Sequence, residues 1–167
     1  MSIYIIDSSV FIIGIHINKI INTKKDTVLI TIPEVFDELK NYRSKIWFDL
    51  ARDRGMKIES SLSDLINTVK EKAKNTGDVF KLSKTDLSLL AKALEYVDKD
   101  VIIVTDDYAV QNMASYLKIK VKPIIQKKIK KKLQWKRQCI GCGRYYTDKE
   151  VCPFCGCNTK LGKEKGG

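Results

Sequence analysis

The sequence predicts an α/β fold, a parallel sheet covered by helices on both faces, with a small cysteine-rich module at the C-terminal end. Three observations carry this prediction. Short apolar runs alternate with longer segments of helical periodicity up to residue 123, and such alternation is typical of a parallel sheet. The 167 residues, 44% of them hydrophobic, can bury one core of ordinary domain size. Four of the five cysteines stand in two pairs near the end of the chain.

The first half of the chain begins with a strand. Residues 3–6 predict a short buried strand, and the apolar run after Asp7 predicts a helical segment. Residues 27–33 predict a second strand. Pro33 then opens a helix that continues to residue 54, because proline is favoured in the first helical turn. Residues 56–60 are a candidate for a short edge strand.

The second half repeats the pattern. Residues 63–77 have helical spacing and end at Gly77, a residue type that commonly terminates helices. Residues 85–97 predict a helix and residues 101–105 a buried strand. A further helix and strand follow, up to Pro123.

These elements divide the chain into four expected parts. They are an α/β domain at residues 1–125, a basic linker at 126–137, a cysteine-rich module at 138–160 and a flexible tail at 161–167. No stretch approaches the roughly 18 apolar residues of a membrane span, and the charge at position 7 leaves no room for a secretion signal. We therefore expect a soluble, cytoplasmic protein.

The charge balance indicates a polyanionic partner. The formal net charge is +11, which favours nucleic acid over a membrane surface because no basic helix with a wide apolar face is present. A lysine-rich surface that serves only solubility is the alternative on charge alone.

Acidic residues follow two of the predicted strands. Asp7 ends the first strand, and Asp106 and Asp107 follow the strand at 101–105. Since ligands of open α/β sheets bind outside the carboxyl ends of the strands, these carboxylates would meet at one edge if the two strands are neighbours. The alternative is that each aspartate caps the helix that follows it.

Two further acids lie on predicted helices. Glu38 lies about 60° from the centre of an apolar stripe, at about 100° per residue, whereas Asp37 points to the opposite side. The stripe consists of Val35, Leu39, Tyr42 and Ile46. Asp86 lies at a helix start, where the alternative is a favourable charge at the helix N-terminus with Thr85 as the N-cap.

Several carboxylates at one edge repel each other unless a cation neutralises them. Mg²⁺ or Mn²⁺ takes oxygen ligands and keeps several waters, which suits hydrolysis of a phosphodiester. The single histidine, His16, lies in an apolar segment and is interpreted as structural. Without a catalytic histidine to pair with a serine, and without a glycine-rich phosphate loop, metal-assisted hydrolysis of nucleic acid is the chemistry that remains.

Four segments in this order resemble the PIN-domain nucleases: IIDSSVF, IPEVFDELK, LSKTDLSLLAKAL and VIIVTDDYAVQNMA. The resemblance covers about residues 1–125. It implies that Asp7, Glu38 and Asp86 bind Mg²⁺ or Mn²⁺ and that Asp106 or Asp107 supplies the fourth ligand, with a T-x-D alignment favouring Asp107. The implied activity is endonuclease cleavage of single-stranded RNA.

The cysteines have the spacing C-x2-C-x9-C-x2-C, formed by Cys139, Cys142, Cys152 and Cys155. Two such pairs match one tetrahedral zinc ion, and a module of this size lacks an adequate core of its own. A disulfide framework is the alternative, although it is rare inside cells. The sequence therefore predicts a zinc ribbon, with Cys157 outside the ligand set.

Basic residues before and within the ribbon are candidates for RNA binding. They are Lys127, Lys128, Lys130, Lys131, Lys132 and Arg144. Phosphates would relieve the repulsion among the linker lysines and release counterions. Trp135 either stacks on a base or packs against the ribbon.

A PIN domain followed by a basic linker and a zinc ribbon is similar to the archaeal form of the Nob family of ribosome-biogenesis endoribonucleases. This resemblance implies cleavage of precursor small-subunit (16S) rRNA to form its mature 3′ end. The implied partners are that rRNA, the immature small ribosomal subunit and other assembly factors. A catalytically idle RNA-binding assembly factor and another single-strand-specific PIN ribonuclease are the alternatives.

Overall fold

The structure, a computed structural model, describes residues 1–20, 26–125 and 135–163. The strands are β1 (Ser2–Ile6), β2 (Thr27–Thr31), β3 (Lys57–Ile58), β4 (Asp100–Val104), β5 (Lys120–Lys122), β6 (Trp135–Cys139), β7 (Tyr145–Tyr146) and β8 (Thr159–Lys163). The helices are α1 (Ser8–Ile13), α2 (Ile17–Ile20), α3 (Pro33–Glu38), α4 (Tyr42–Asp53), α5 (Ser63–Thr76), α6 (Lys84–Leu94) and α7 (Tyr108–Tyr116), with a 3-10 turn at Asp78–Phe80.

The first five strands form one parallel sheet in the order β3-β2-β1-β4-β5. The central strand β1 pairs with β2 and with β4, so that Ile5 lies beside Ile30 and Ile103. These three side chains are buried, as expected for a sheet shielded by helices. The predicted α/β fold with a parallel sheet is confirmed.

The order of the strands explains where a site can form. The chain adds β2 and β3 on one side of β1 and then crosses to add β4 and β5 on the other side. The strand order therefore reverses between β1 and β4, and the crevice at the carboxyl ends of such a pair is the usual binding site of open α/β sheets. Asp7 follows β1 and Asp106 follows β4 at this point.

The predicted single helix from residue 33 to residue 54 is wrong. It breaks into α3 and α4, because Asn41 caps α4 by accepting a hydrogen bond from the Ser44 backbone N–H at 2.7 Å. The break changes the direction of the chain, so Tyr42 is 81% exposed and does not continue the apolar stripe. Phe48 and Ala51 are the apolar residues of α4 that are buried.

The expected start of the helix at residue 85 also needs correction. α6 begins at Lys84, and its N-cap is Ser83, not Thr85. The Ser83 hydroxyl accepts from the Asp86 backbone N–H at 3.1 Å, and the Asp86 carboxylate accepts from the Ser83 backbone N–H at 2.7 Å. This reciprocal capping box satisfies two backbone donors at the start of the helix.

A second, antiparallel sheet has the order β7-β6-β8. Pairing of β6 with β8 extends from Cys139 beside Thr159 to Trp135 beside Lys163. Strand β6 therefore begins before residue 138, and β8 continues past residue 160, because each strand supplies the hydrogen-bonding partners of the other. The predicted RNA-binding lysines at 127–132 lie outside the described residues. Within the described residues, no helix is both long and apolar enough to cross a membrane.

Candidate active site and cysteine cluster

An open cavity of about 560 Å³ lies at the carboxyl edge of the parallel sheet. It brings together all five carboxylates that the sequence indicated, although they come from four separate parts of the chain. The lining residues are Asp7, Ser8, Ser9, Ile12, Ile13, Glu38, Lys81, Ser83, Asp86, Asp106 and Asp107. His16 is not among them; its ring packs edge-on against Trp47.

Asp7 is held firmly at the end of β1. Its carboxylate accepts hydrogen bonds from the Ser8 backbone N–H at 2.7 Å, the Ser9 hydroxyl at 2.8 Å and the Thr105 hydroxyl at 2.7 Å. The side chain is only 4% exposed, and burial raises its pKa, with a smaller contribution from the negative charge of Asp107. Asp7 is also the N-cap of α1. Helix capping and a place in the cavity are therefore compatible.

Asp106 and Asp107 have different environments although they are adjacent. The Asp106 carboxylate is buried and accepts from the backbone N–H groups of Ile124 at 2.6 Å and Ile125 at 3.0 Å. It therefore anchors the segment after β5. Asp107 caps α7 with Oδ1, which accepts from the Ala109 backbone N–H at 2.7 Å. Its Oδ2 accepts no hydrogen bond from the described residues, so one oxygen remains available to a ligand.

Asp86 and Glu38 reach the cavity from helix ends. One Asp86 oxygen is used in the capping box, whereas the other is available. Burial, together with the charges of Asp107 and Asp7, raises the pKa of Asp86 to about 6. Glu38, the last residue of α3, is half-buried, whereas Asp37 is exposed, as predicted. Among the described residues, Glu38 has no hydrogen-bond or ion-pair partner.

Three residues of the site escaped sequence reasoning. The hydroxyls of Thr105 and Ser9 donate hydrogen bonds to the Asp7 carboxylate. Both residues lie next to the acids at the strand ends, so a hydroxyl side chain beside a predicted ligand was the feature that could have identified them. Lys81 lines the cavity from the turn before α6. No periodicity or motif pointed to Lys81, because its position depends on how that turn packs.

The donor set of the cavity suits a hard divalent cation. Asp7, Glu38, Asp86 and Asp107 offer carboxylate oxygens, which Mg²⁺ and Mn²⁺ prefer. Among the described residues, only the cysteines form a group compact enough to enclose an ion directly. The wider acidic cavity fits a cation that keeps several of its waters, as Mg²⁺ does.

The four predicted zinc ligands come together in the second sheet. The Sγ atoms of Cys139, Cys142, Cys152 and Cys155 all lie within 4.8 Å of one another. The sulfur of Cys139 accepts from the backbone N–H groups of Gly141 at 3.3 Å and Cys142 at 3.4 Å. The Tyr146 hydroxyl lies 3.0 Å from the Cys152 sulfur. Such a cluster can hold one metal ion, and tetrahedral thiolate coordination is typical of zinc.

The fifth cysteine and the aromatic side chains complete the module. Cys157 lies outside the four-sulfur group, and a side chain at Gly141 would come within 2.7 Å of its sulfur. The Arg144 guanidinium stacks on the Phe154 ring, 3.3 Å from its centroid. Trp135 packs against the first domain, with the Lys81 Nζ 4.8 Å from its ring centroid.

Comparison with known proteins agrees with this geometry. Residues 4–96 match the family described as the PIN domain of ribonuclease. The endoribonuclease Nob1 of Pyrococcus abyssi is 35% identical over 161 residues, which are 94% of this chain and 91% of that protein. The endoribonuclease Nob1 of Archaeoglobus fulgidus is 40% identical over 130 residues, 77% of this chain and 76% of that protein.

A further relative is the ribonuclease VapC1 of Thermoplasma acidophilum, 34% identical over 164 residues, 98% of this chain and 79% of that protein. The family model covers more than half of the chain, and the Nob1 relatives are matched over most of their own length. The chain therefore belongs to the PIN-domain ribonuclease family and, within it, to the Nob1 endoribonucleases.

Proposed function

We propose that this protein is a divalent-metal-dependent endoribonuclease that cleaves precursor 16S rRNA to form its mature 3′ end. The observation that carries the proposal is the convergence of carboxylates from four parts of the chain in one open cavity. Gathering negative charge where a polyanion must bind is costly unless a cation acts there. The relatives named endoribonuclease Nob1 support RNA as the substrate.

Asp7, Glu38, Asp86 and Asp107 would hold Mg²⁺ or Mn²⁺. When bound, such a cation lowers the pKa of a coordinated water and stabilises charge on the leaving oxygen of a phosphodiester. The chain contributes by fixing the ligands: Thr105 and Ser9 orient the Asp7 carboxylate, and the capping box orients that of Asp86. Asp106 would support the site indirectly by anchoring the segment after β5, because its carboxylate oxygens accept hydrogen bonds from the backbone N–H groups of Ile124 and Ile125.

The cysteine cluster would hold one structural zinc ion and so maintain the second sheet. The lysines at 127–132 and Arg144 would bind RNA phosphates in a salt-dependent manner. The partners would be precursor small-subunit rRNA and the immature small ribosomal subunit, in the cytoplasm.

Two other functions predict different results. A catalytically idle assembly factor would bind RNA without cleaving it, but the acidic cavity would then only weaken binding. Another single-strand-specific PIN ribonuclease would cleave many RNAs; the observation in support of this second candidate is the 34% identity to the ribonuclease VapC1. Whether RNA is cut at all tests the idle assembly factor, and the position of the cut tests the less specific ribonuclease.

The test is single-turnover cleavage of an RNA that spans the mature 3′ end of 16S rRNA and its precursor extension, at saturating Mn²⁺. The wild type should cut at the mature end, and Asp7→Asn should abolish cleavage because it removes a charge but keeps the shape. Asp37→Asn is the matched control, since Asp37 is exposed and lies outside the cavity. Near-wild-type cleavage by Asp7→Asn would contradict the proposal, and cleavage throughout unrelated RNAs would favour the less specific ribonuclease.

A further inference from the structure

Lys81 connects the acidic cavity to the cysteine-rich module. Among the described residues that line the cavity, Lys81 is the one cation beside five carboxylates. Its Nζ lies 4.8 Å from the ring centroid of Trp135, the first residue of β6. Within the described part of the chain, no carboxylate lies within ion-pair distance of this Nζ. The aromatic ring, and not an acid of the cavity, is therefore the partner of the ammonium group.

The turn that carries Lys81 is built on a buried polar group. Asp78 is fully buried, and its carboxylate accepts hydrogen bonds from the Asn112 side chain at 2.9 and 3.0 Å and from the Thr76 hydroxyl at 2.6 Å. The Lys81 backbone N–H donates to the Asp78 carbonyl at 2.8 Å. These bonds fix the backbone of the turn. The position of the Lys81 ammonium group then depends on its side-chain contact with Trp135.

The cysteine-rich module docks on the same turn. Gly77 has φ +79°, and a side chain there would overlap the Trp135 carbonyl, so the backbone of β6 lies directly against it. The Arg137 guanidinium lies 5.3 Å from the ring centroid of Phe80. Two cation–π contacts and one close backbone approach thus join β6 to the five residues that end in Lys81.

We infer that Lys81 binds a phosphate of the RNA at the edge of the acidic cavity and that Trp135 holds it in position. The inference rests on the proposed function. A cavity lined by carboxylates repels a polyanion, so a cation beside it favours the approach of the strand to be cut. A lysine ammonium is a compact charge suited to a phosphate oxygen, and a tryptophan face keeps it from pairing with the nearby acids. Lys81 is then a substrate-binding residue, and Trp135 is a positioning residue that acts through it.

The first test is binding of a short fluorescent single-stranded RNA at several KCl concentrations, in an Asp7→Asn background that prevents cleavage. Lys81→Ala should weaken binding and reduce the log–log salt slope by about 0.7, the value for one phosphate contact with a single strand. Lys81→Arg should restore the slope.

Lys99→Ala is the matched control for this measurement. The Lys99 Nζ lies 5.5 Å from the Tyr96 ring, so it is also a cation–π lysine, but neither residue lines the cavity. Its slope should equal that of the parent protein. Equal slopes for Lys81→Ala and Lys99→Ala would overturn the inference.

The second test is a double-mutant cycle on RNA cleavage at saturating Mn²⁺. Trp135→Leu should raise KM about twofold to fivefold, the range for an exposed cation–π contact, whereas Trp135→Phe should stay close to wild type. In the Lys81→Ala background, Trp135→Leu should add nothing, because the effect of Trp135 passes through Lys81. Additive losses would refute the positioning role. Zinc content and thermal unfolding check that each variant is folded.

The two proposals fail in different ways. If the wild type does not cleave RNA, the proposed function fails, but the salt slopes still report whether Lys81 contacts phosphate. If the wild type cleaves RNA and Lys81→Ala behaves like Lys99→Ala, the role of Lys81 fails alone.

Discussion

Replacing Asp86 with asparagine should make the metal-free protein more stable at neutral pH while it abolishes cleavage. Asparagine keeps an oxygen that can accept the hydrogen bond from the Ser83 backbone N–H, so the capping box is largely preserved. What changes is the charge. In the wild type this charge is half-buried and close to the charges of Asp107 and Asp7.

The magnitude follows from the pKa of Asp86, which burial and the neighbouring carboxylates raise from 3.8 to about 6. At pH values between 3.8 and about 6, Asp86 is protonated in the folded protein but ionised in the unfolded chain. The free energy of unfolding therefore falls as the pH rises through this window. Above about pH 6 the full penalty applies, and below about pH 4 it is absent. At about 1.4 kcal/mol per pH unit the penalty is at most about 3 kcal/mol, and solvent screening of this half-exposed group reduces it.

The assay is thermal unfolding of the wild type and Asp86→Asn near pH 4 and near pH 8, without and with Mn²⁺. We expect equal midpoints at the lower pH and a variant midpoint higher by up to about 10 °C at the upper pH, at roughly 2–4 °C per kcal/mol. Added Mn²⁺ should stabilise the wild type more than the variant, because binding to the folded state alone raises stability. Asp37→Asn should match the wild type. A lower midpoint for Asp86→Asn at the upper pH would refute the reasoning and make helix capping the main role of Asp86.

Three other predictions concern the second sheet and the linker. Elemental analysis should find one zinc ion per chain, and its removal should unfold β6–β8 but leave the parallel sheet intact by circular dichroism, because among the described residues β6–β8 pair only with one another and contribute no residue to the hydrophobic core around the parallel sheet; protein purified without chelator that lacks zinc would contradict this. Neutral residues in place of the five lysines at 127–132 should lower the salt slope of RNA binding by about 0.7 for each phosphate that the linker no longer neutralises; an unchanged slope would leave the linker as a spacer. Gly77→Ala should cost at least about 1–2 kcal/mol in chemical denaturation, since it combines a left-handed backbone with displacement of Trp135, whereas Gly55→Ala lacks that overlap and should cost less.

Much of the fold was predictable because its signals are local. The apolar runs that became β1, β2 and β4 are short and rich in β-branched residues, which favours buried strands, and helices between such strands favour parallel pairing. The misjudged helix shows the limit. The apolar pattern around Val35 continues past residue 40, but the Asn41 side chain captures the Ser44 backbone N–H and starts a new helix. This capping hydrogen bond marks the boundary between the two helices, and apolar periodicity does not report it.

The sequence by itself determined that acids follow the strands and that four cysteines have zinc spacing, because both features are properties of order along the chain. Only the tertiary structure decided how Asp106 and Asp107 differ, since the difference depends on backbone N–H groups that β5 brings beside Asp106. The same is true of Lys81 and Trp135, which are distant in sequence and meet only when β6 packs on the turn after Gly77. Local order dictates which chemical groups a strand end presents, whereas packing between distant segments decides which of them keep an oxygen or a charge available for a ligand.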